Sequence, residues 1–130
     1  MESPSCQLRL TRRFQASAEE LWHALTDPKR VGRWLGRPLR FDVLGSGDIE
    51  LGLPDGTTVT GSVRKLDPPH LLELDWVDGH GESSLVRIKV VPEGKVTVMV
   101  LDHIRIQERL GMRYLGWWEL TLDRFTAAVQ

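Results

Sequence analysis

Cysteine is almost absent from the 130-residue sequence, which contains only Cys6. A single cysteine excludes an intrachain disulfide framework and a cysteine-based metal site. The four histidines, His23, His70, His80 and His103, are scattered, and none pairs with another at short spacing. We therefore expect no metal, no cofactor and no catalytic cluster built on these residues.

Long apolar runs and a strong net charge are also missing. No run approaches the ~20 apolar residues of a membrane span, and Met1 to Gln7 hold no signal-peptide segment. A cytoplasmic protein without a membrane span is the default expectation. The net charge of −1 argues against a general nucleic-acid binder. Gly45-Ser46-Gly47 lacks the following helix and lysine of a phosphate-binding loop.

The charge is nevertheless unevenly distributed. Residues 1–40 hold eight Lys/Arg and four Asp/Glu, whereas residues 41–130 hold nine and fourteen. The simplest interpretation of the basic excess is a solvated face. The alternative is a partner-binding surface centred on a tryptophan. Its members would be Lys29, Arg30, Arg33, Trp34 and Arg37.

The last stretch, from roughly Gln107 to Val129, has the spacing of a helix. Its apolar residues recur at steps of four, four, three and four, at Tyr114, Trp118, Leu122, Phe125 and Val129. This period places them on one helical face, which carries three aromatic rings. We predict one long helix laid across the apolar face of a curved sheet.

The first forty residues predict a strand followed by two short helices. Leu8, Leu10 and Phe14 alternate with polar residues, and Arg12 falls on their apolar side. Ser17 and Glu20 form a capping box that begins the first helix. Asp27-Pro28 ends that helix and begins a second one, which Gly36 and Pro38 should stop.

The middle of the chain predicts antiparallel strands. Alternating segments are separated by turn sequences such as Pro54-Asp55-Gly56 and Pro92-Glu93-Gly94. Glu73 and Asp75 share the strand face opposite the apolar one, so we expect both to point to solvent. The inward-facing polar candidates are Arg12, Ser84 and His103.

The element order resembles the helix-grip order of the START-like (SRPBCC) superfamily. The segment from Arg12 to Trp22, followed by Ala24-Leu25-Thr26-Asp27-Pro28 and Trp34, looks like the opening of the family of activators of the heat-shock-protein-90 ATPase. Other stretches resemble its later motifs: Gly61-Ser62-Val63, Asp67-Pro68-Pro69, Leu71-Leu72, His103, and Trp118 with Leu122-Asp123-Arg124-Phe125. Trp117 departs from the family, which usually has glycine before this tryptophan, unless Gly116 takes that position with a slip of one residue. A bulky ring at Trp117 is expected either to narrow the internal cavity or to cover an interface.

The resemblance implies an α+β fold in one START-like domain spanning 1–130, with six or seven curved antiparallel strands around the C-terminal helix. It also implies non-catalytic binding of a small hydrophobic molecule such as a lipid. The first alternative is a protein-interaction module, whose partner would be a heat-shock-protein-90-type chaperone in a stress response or a second copy of the chain. The second alternative is a polyketide cyclase or aromatase-like enzyme. An enzyme is the least favoured because no inward-facing acid–base pair can be named.

The expected ligand site lies between the long helix and the sheet. Arg12 and His103 would be its polar anchors. The apolar wall would be formed by Leu21, Trp22, Trp34, Trp76, Met99, Leu101, Tyr114, Trp118 and Leu122. For each of these apolar residues, plain core is the simpler interpretation.

Overall fold

A computed structural model describes residues 4–129 of the chain. Seven strands and three α-helices follow in the order β1 (Ser5–Phe14), α1 (Ala18–Thr26), α2 (Pro28–Val31), β2 (Arg37–Phe41), β3 (Asp48–Gly52), β4 (Thr58–Asp67), β5 (Leu71–Val77), β6 (Ser83–Glu93), β7 (Val96–Gln107) and α3 (Gly111–Val129). The strands form one antiparallel sheet in the order β1-β7-β6-β5-β4-β3-β2. The predicted helix-grip fold is confirmed.

The short helices begin where their capping residues predict. The Ser17 hydroxyl accepts a hydrogen bond from the Glu20 amide at 3.1 Å. The Asp27 carboxylate accepts one from the Lys29 amide at 3.2 Å, and Pro28 occupies the first turn. The predicted end of the second helix is wrong, because α2 ends at Val31 and turns lead from there to β2. After Val31 the amides of Arg33 and Trp34 bond to carbonyls three residues back, so the chain continues as tight turns instead of α-helix.

The long helix has the predicted phase but a later start. Gln107 still belongs to β7, and the 3₁₀ turn Glu108–Leu110 separates it from α3. Trp118, Leu122 and Phe125 on the predicted stripe are buried. These side chains join the apolar face of the sheet in one core cluster. At about 25 cal/mol per Å² of buried apolar surface, burial of each such side chain stabilises the fold by roughly 1.5–3 kcal/mol.

The other face of the sheet carries a row of alternating charges. Register places Asp102 on β7 beside Arg9 on β1 and Arg87 on β6, and Glu73 on β5 follows beside Arg87. The prediction that Glu73 points to solvent is wrong, since it is only 4% exposed. Its carboxylate accepts a hydrogen bond from Arg87 Nε at 2.9 Å. Alternation correctly identified the face, but the neighbouring strand supplies the arginine that covers this carboxylate.

Candidate functional site

His103 is the best-defined polar residue between α3 and the sheet. As predicted, it shares a face of β7 with Met99 and Leu101, and it is fully buried. Its Nδ1 lies 2.9 Å from the indole Nε1 of Trp118, and its Nε2 lies 2.7 Å from the Ser84 hydroxyl. The Ser84 hydroxyl also lies 3.3 Å from the main-chain carbonyl of Trp76. Both ring nitrogens are therefore used inside the protein.

The chemistry of the partners fixes the tautomer of His103. An indole N–H can only donate, so Nδ1 must be the acceptor and Nε2 must carry the proton. Nε2 then donates to the Ser84 hydroxyl, which in turn donates to the Trp76 carbonyl. The result is a directed chain of three hydrogen bonds from α3 across β7 and β6 to β5.

Burial also keeps this imidazole neutral. Removal from water lowers the pKa of His103 from its ordinary value of 6.5 to about 3. The donor from Trp118 acts in the same direction, because a protonated Nδ1 would face another N–H group. His103 is therefore a neutral, internally satisfied group at physiological pH.

Ser84 and His103 are as close as a nucleophile and its general base, but the hydrogen bond between them runs in the wrong direction for catalysis. A base must accept the hydroxyl proton through a free lone pair. Here the nitrogen facing Ser84 carries a proton, and the other nitrogen is occupied by Trp118. The pair in this arrangement cannot activate the serine hydroxyl.

Aromatic rings surround His103 on several sides. The ring centroid of Tyr114 lies 4.4 Å from that of His103, and those of Trp118 and Trp76 lie 6.0 and 6.1 Å away. Trp117 extends the group, with its ring 4.7 Å from Trp118 and 6.0 Å from Trp76. We call these five residues, Trp76, His103, Tyr114, Trp117 and Trp118, the ring cluster. Edge-to-face geometry at these spacings is favourable between aromatic side chains.

The ring cluster contains a polar group that has no partner in the described part of the chain. The indole N–H of Trp76 is buried and makes no hydrogen bond within residues 4–129. Burial raises the pKa of the half-buried Tyr114 phenol, and the approach of the Trp76 indole N–H to the phenol oxygen partly opposes that rise. The two groups nevertheless do not meet the geometry of a hydrogen bond. Leaving a buried donor unpaired costs roughly 1–3 kcal/mol.

The other predicted ligand residues are distributed along the core. Met99, Leu101 and Leu122 are buried in the core cluster that also contains Trp76 and Trp118. Leu21 and Trp22 on α1 and Trp34 after α2 are buried too. Arg12 lies opposite Met99 in the sheet register, is partly exposed, and donates to the Thr11 carbonyl at 3.3 Å. Whether any of them contacts a ligand stays a prediction.

The predicted partner-binding residues divide into two groups. Arg33, Trp34 and Arg37 line an open cleft of about 530 Å³, but Lys29 and Arg30 do not. The Trp34 side chain is only 2% exposed, because its ring packs 4.9 Å from Phe125 and its Nε1 donates to the Ala24 carbonyl. The accessible groups of this segment are therefore its charged side chains and main chain, and the Trp34 ring is not accessible to a partner.

Sequence reasoning missed Arg124, which lines the same cleft from α3. Its Nε donates to the Trp34 carbonyl at 3.2 Å, and its Nη2 donates to the Thr121 hydroxyl at 3.0 Å. The available signal was its position one residue before the buried Phe125, at the border of the apolar stripe. The sequence alone did not show which loop that border would meet.

Gly36 lets the loop of this cleft approach β3 closely. A Cβ on Gly36 would come within 3.2 Å of the Gly52 carbonyl oxygen and of a Leu53 methyl group. A Cβ on Gly52 would lie 3.5 Å from the guanidinium of Arg37, which is an ordinary van der Waals distance. We call this cleft, which is lined by Arg33, Arg37 and Arg124 among other residues, the arginine cleft.

No helix among residues 4–129 is long and apolar enough to cross a membrane. In the same described part of the chain, no three His, Cys, Asp or Glu side chains are grouped so that they could hold a metal ion.

Solved structures share this architecture over nearly the whole chain. CalU16 from Micromonospora echinospora has 27% sequence identity and a TM-score of 0.84, with 97% of this chain and 77% of that chain covered. DynU16, described as a protein of the dynemicin biosynthetic locus, has 21% identity and a TM-score of 0.84, with 95% and 47% covered. This chain thus spans about half of DynU16. An HSP90 activator from Plasmodium falciparum has 21% identity and a TM-score of 0.70, with 90% and 91% covered.

No curated protein sequence matches the chain. A family profile also matches most of the chain. The profile described as Activator of Hsp90 ATPase homolog 1-like protein covers residues 15–130, from the end of β1 through α3. The chain belongs to the Activator of Hsp90 ATPase homolog 1-like family.

Proposed function

We propose that this protein binds a small, largely apolar molecule at the ring cluster and donates a hydrogen bond to it from the Trp76 indole. The observation that carries the proposal is the buried, unpartnered N–H of Trp76. A ligand with one acceptor atom would satisfy this donor and recover part of the cost of burying it. The surrounding rings favour a planar, aromatic ligand body.

The route to the site is set by the two half-buried members of the cluster. Tyr114 and Trp117 are partly exposed, whereas Trp76, His103 and Trp118 are buried. The rings pack against one another in this structure, so a ligand must displace Tyr114 or Trp117 to reach the indole of Trp76. Both residues lie within the first two turns of α3.

His103 has a different role in this proposal from the anchor expected from the sequence. Its two nitrogens are occupied by Trp118 and Ser84. It therefore holds the buried rings in place, and Trp76 provides the hydrogen bond to the ligand. Binding through Trp76 requires no proton transfer, which fits a non-catalytic function.

Nitrogen-15 NMR spectra of the tryptophan indoles test this function directly, with neutral naphthyl ketones as probes. We expect the Trp76 indole proton resonance to move downfield on titration, as a new hydrogen bond forms. Trp76→Phe should weaken binding by the roughly 0.5–1.5 kcal/mol of one neutral hydrogen bond. Trp34→Phe is the matched control, since its N–H is already bonded to Ala24. An unmoved Trp76 resonance at saturation, or equal weakening in both variants, would contradict the proposal.

Binding of a partner protein through Lys29, Arg30, Arg33, Trp34 and Arg37 stays a second proposal. The exposure of its charged side chains supports it, and the burial of Trp34 removes its expected apolar centre. Charge reversal at Arg30 and Arg33 tests it. Loss of a co-purifying chaperone or of self-association, with an unchanged melting curve, would favour the partner-binding function.

A further inference from the structure

The arginine cleft differs from the rest of the surface in its charge. Residues 28–40 hold five basic side chains and no acidic one. No acidic residue lines the cleft. Among residues 4–129, Arg33, Arg37 and Arg124 form no ion pair with a carboxylate, whereas Arg9, Arg64 and Arg87 on the sheet each do. Three guanidinium groups around one concavity are a strong attractor for an anion.

The three arginines are held by different parts of the fold. Arg33 follows α2, Arg37 begins β2, and Arg124 lies in the last third of α3. Hydrogen bonds to the Trp34 carbonyl and the Thr121 hydroxyl orient Arg124, and its Nη1 makes no bond to the described residues. Arg33 and Arg37 use none of their side-chain donors within residues 4–129. The cleft therefore combines one oriented guanidinium with two that have all donors free.

The size and walls of the cleft indicate the class of ligand. Its volume of about 530 Å³ lies within the range of small-molecule sites. Pro38, Leu53 and Pro54 add apolar wall beside the charged groups. Guanidinium groups pair with planar carboxylates and with phosphates through two parallel hydrogen bonds. A ligand with one oxyanion and an apolar body matches both parts of this surface.

We propose that the arginine cleft binds a small molecule through a carboxylate or phosphate group held by Arg33, Arg37 and Arg124. This site is separate from the ring cluster. Trp118 and Arg124 are six residues apart on α3, which at ~1.5 Å per residue is about 9 Å along the helix axis. The two sites can therefore be tested independently, and this proposal does not depend on the proposed function at the ring cluster.

An NMR titration with benzoate and with phenyl phosphate tests the site, and benzyl alcohol is the neutral control probe. We expect saturable shifts of the Gly36 and Gly52 backbone amides with either anion and none with benzyl alcohol. Tighter binding of one anion would identify the preferred oxyanion, and either order supports the site. No saturable shift with either anion overturns the proposal.

Three variants and one matched control distinguish a built site from general electrostatic attraction. Arg37→Gln, Arg33→Gln and Arg124→Gln should each weaken binding about tenfold, as expected for a lost charge-assisted hydrogen bond. Arg30→Gln removes the same charge from the same segment outside the cleft, and should change affinity by less than about twofold. Equal weakening by Arg30→Gln overturns the proposal.

Two further controls keep the test conclusive. If Arg124→Gln fails to fold, Arg33→Gln and Arg37→Gln decide the result, because neither side chain holds another part of the described structure. A polyglutamate peptide is titrated in parallel. If the peptide alone shifts the Gly36 and Gly52 amides, the cleft serves an acidic protein partner and the small-molecule proposal is overturned.

Discussion

The two ends of α3 differ in how their polar groups are paired. At the N-terminal end, Trp118 and His103 satisfy one another inside the core, and the Trp76 indole is the polar group left over. At the C-terminal end, Arg124 is only partly satisfied, and Arg37 across the cleft uses none of its side-chain donors within residues 4–129. Pairing within the protein stabilises the fold, whereas unpaired donors are available to ligands.

This difference also predicts which mutations alter stability and which alter ligand binding. His103 and Trp118 of the ring cluster are buried and hydrogen-bonded, so changing them should mainly alter the free energy of unfolding. The charged residues of the arginine cleft touch solvent, so changing them should mainly alter binding. Trp76 is the exception at the buried end, because its N–H contributes no internal bond.

The largest expected loss follows truncation at the buried end. Trp118→Ala removes a side chain that is 1% exposed and leaves His103 Nδ1 without its donor. We expect it to lower the free energy of unfolding by roughly 3–5 kcal/mol. Glu119→Ala on the exposed side of α3 should cost under ~0.5 kcal/mol. Equal losses in urea denaturation would contradict the assignment of the two helix faces.

Removal of the central hydrogen-bonding group should have the next largest effect. His103→Leu places an apolar side chain at the same buried position but leaves the Trp118 indole N–H without its acceptor and the Ser84 hydroxyl with the Trp76 carbonyl alone. We expect a loss of roughly 1–3 kcal/mol, mainly from the unpaired indole N–H. His23→Leu on the exposed surface of α1 is the control, with an expected change within ~0.5 kcal/mol. A neutral His103→Leu would show that the hydrogen-bond chain contributes little.

The stability of the buried end should also depend on pH through His103. Its pKa is about 3 in the folded protein and 6.5 ordinarily, so between these values the unfolded chain binds a proton that the folded chain does not. Its contribution is therefore fully present above pH 6.5 and is lost as pH falls toward 3. The loss is at most about 1.4 kcal/mol per pH unit.

A comparison of unfolding free energies at several pH values isolates this contribution. His103→Leu has no imidazole, so the stability difference between it and the wild type should shrink as the pH falls below 6.5. Acidic groups that titrate in both proteins cancel in the difference. A difference that stays constant down to pH 4 would contradict the neutral, buried state of His103.

Local patterns were sufficient to predict most of this fold. The capping side chains of Ser17 and Asp27 act within three residues, so their effects could be inferred directly from the sequence. The stripe through Trp118 and Phe125 fixed the phase of α3, because a helical face depends only on spacing. The later start of α3 could not be predicted, since the 3₁₀ turn after Gln107 depends on how β7 ends.

The candidate sites depend on contacts between distant residues, and these were harder to predict. His103 and Ser84 were both expected on the inner face, but their 2.7 Å hydrogen bond depends on the register of β6 and β7. The approach of Arg124 to Trp34 joins residues 90 positions apart. Sequence spacing gives the direction of a side chain within one element, but not which element it meets.

The smallest expected stability change is for a mutation in the arginine cleft, at the C-terminal end of α3. Arg37 makes no side-chain hydrogen bond or ion pair within residues 4–129, so Arg37→Gln should change the free energy of unfolding by less than ~0.5 kcal/mol. At low salt the change should be slightly stabilising, because one of three like charges in the cleft is removed. This gain should disappear at about 1 M salt, where the screening length falls to ~3 Å.

Arg124→Gln should instead be destabilising at every salt concentration, because its guanidinium bonds the Trp34 carbonyl and the Thr121 hydroxyl. Urea denaturation of both variants at low and high salt measures these effects. A salt-independent loss of more than 1 kcal/mol for Arg37→Gln would show that this end of α3 is also held by internal pairing, and the contrast between the two ends would not stand.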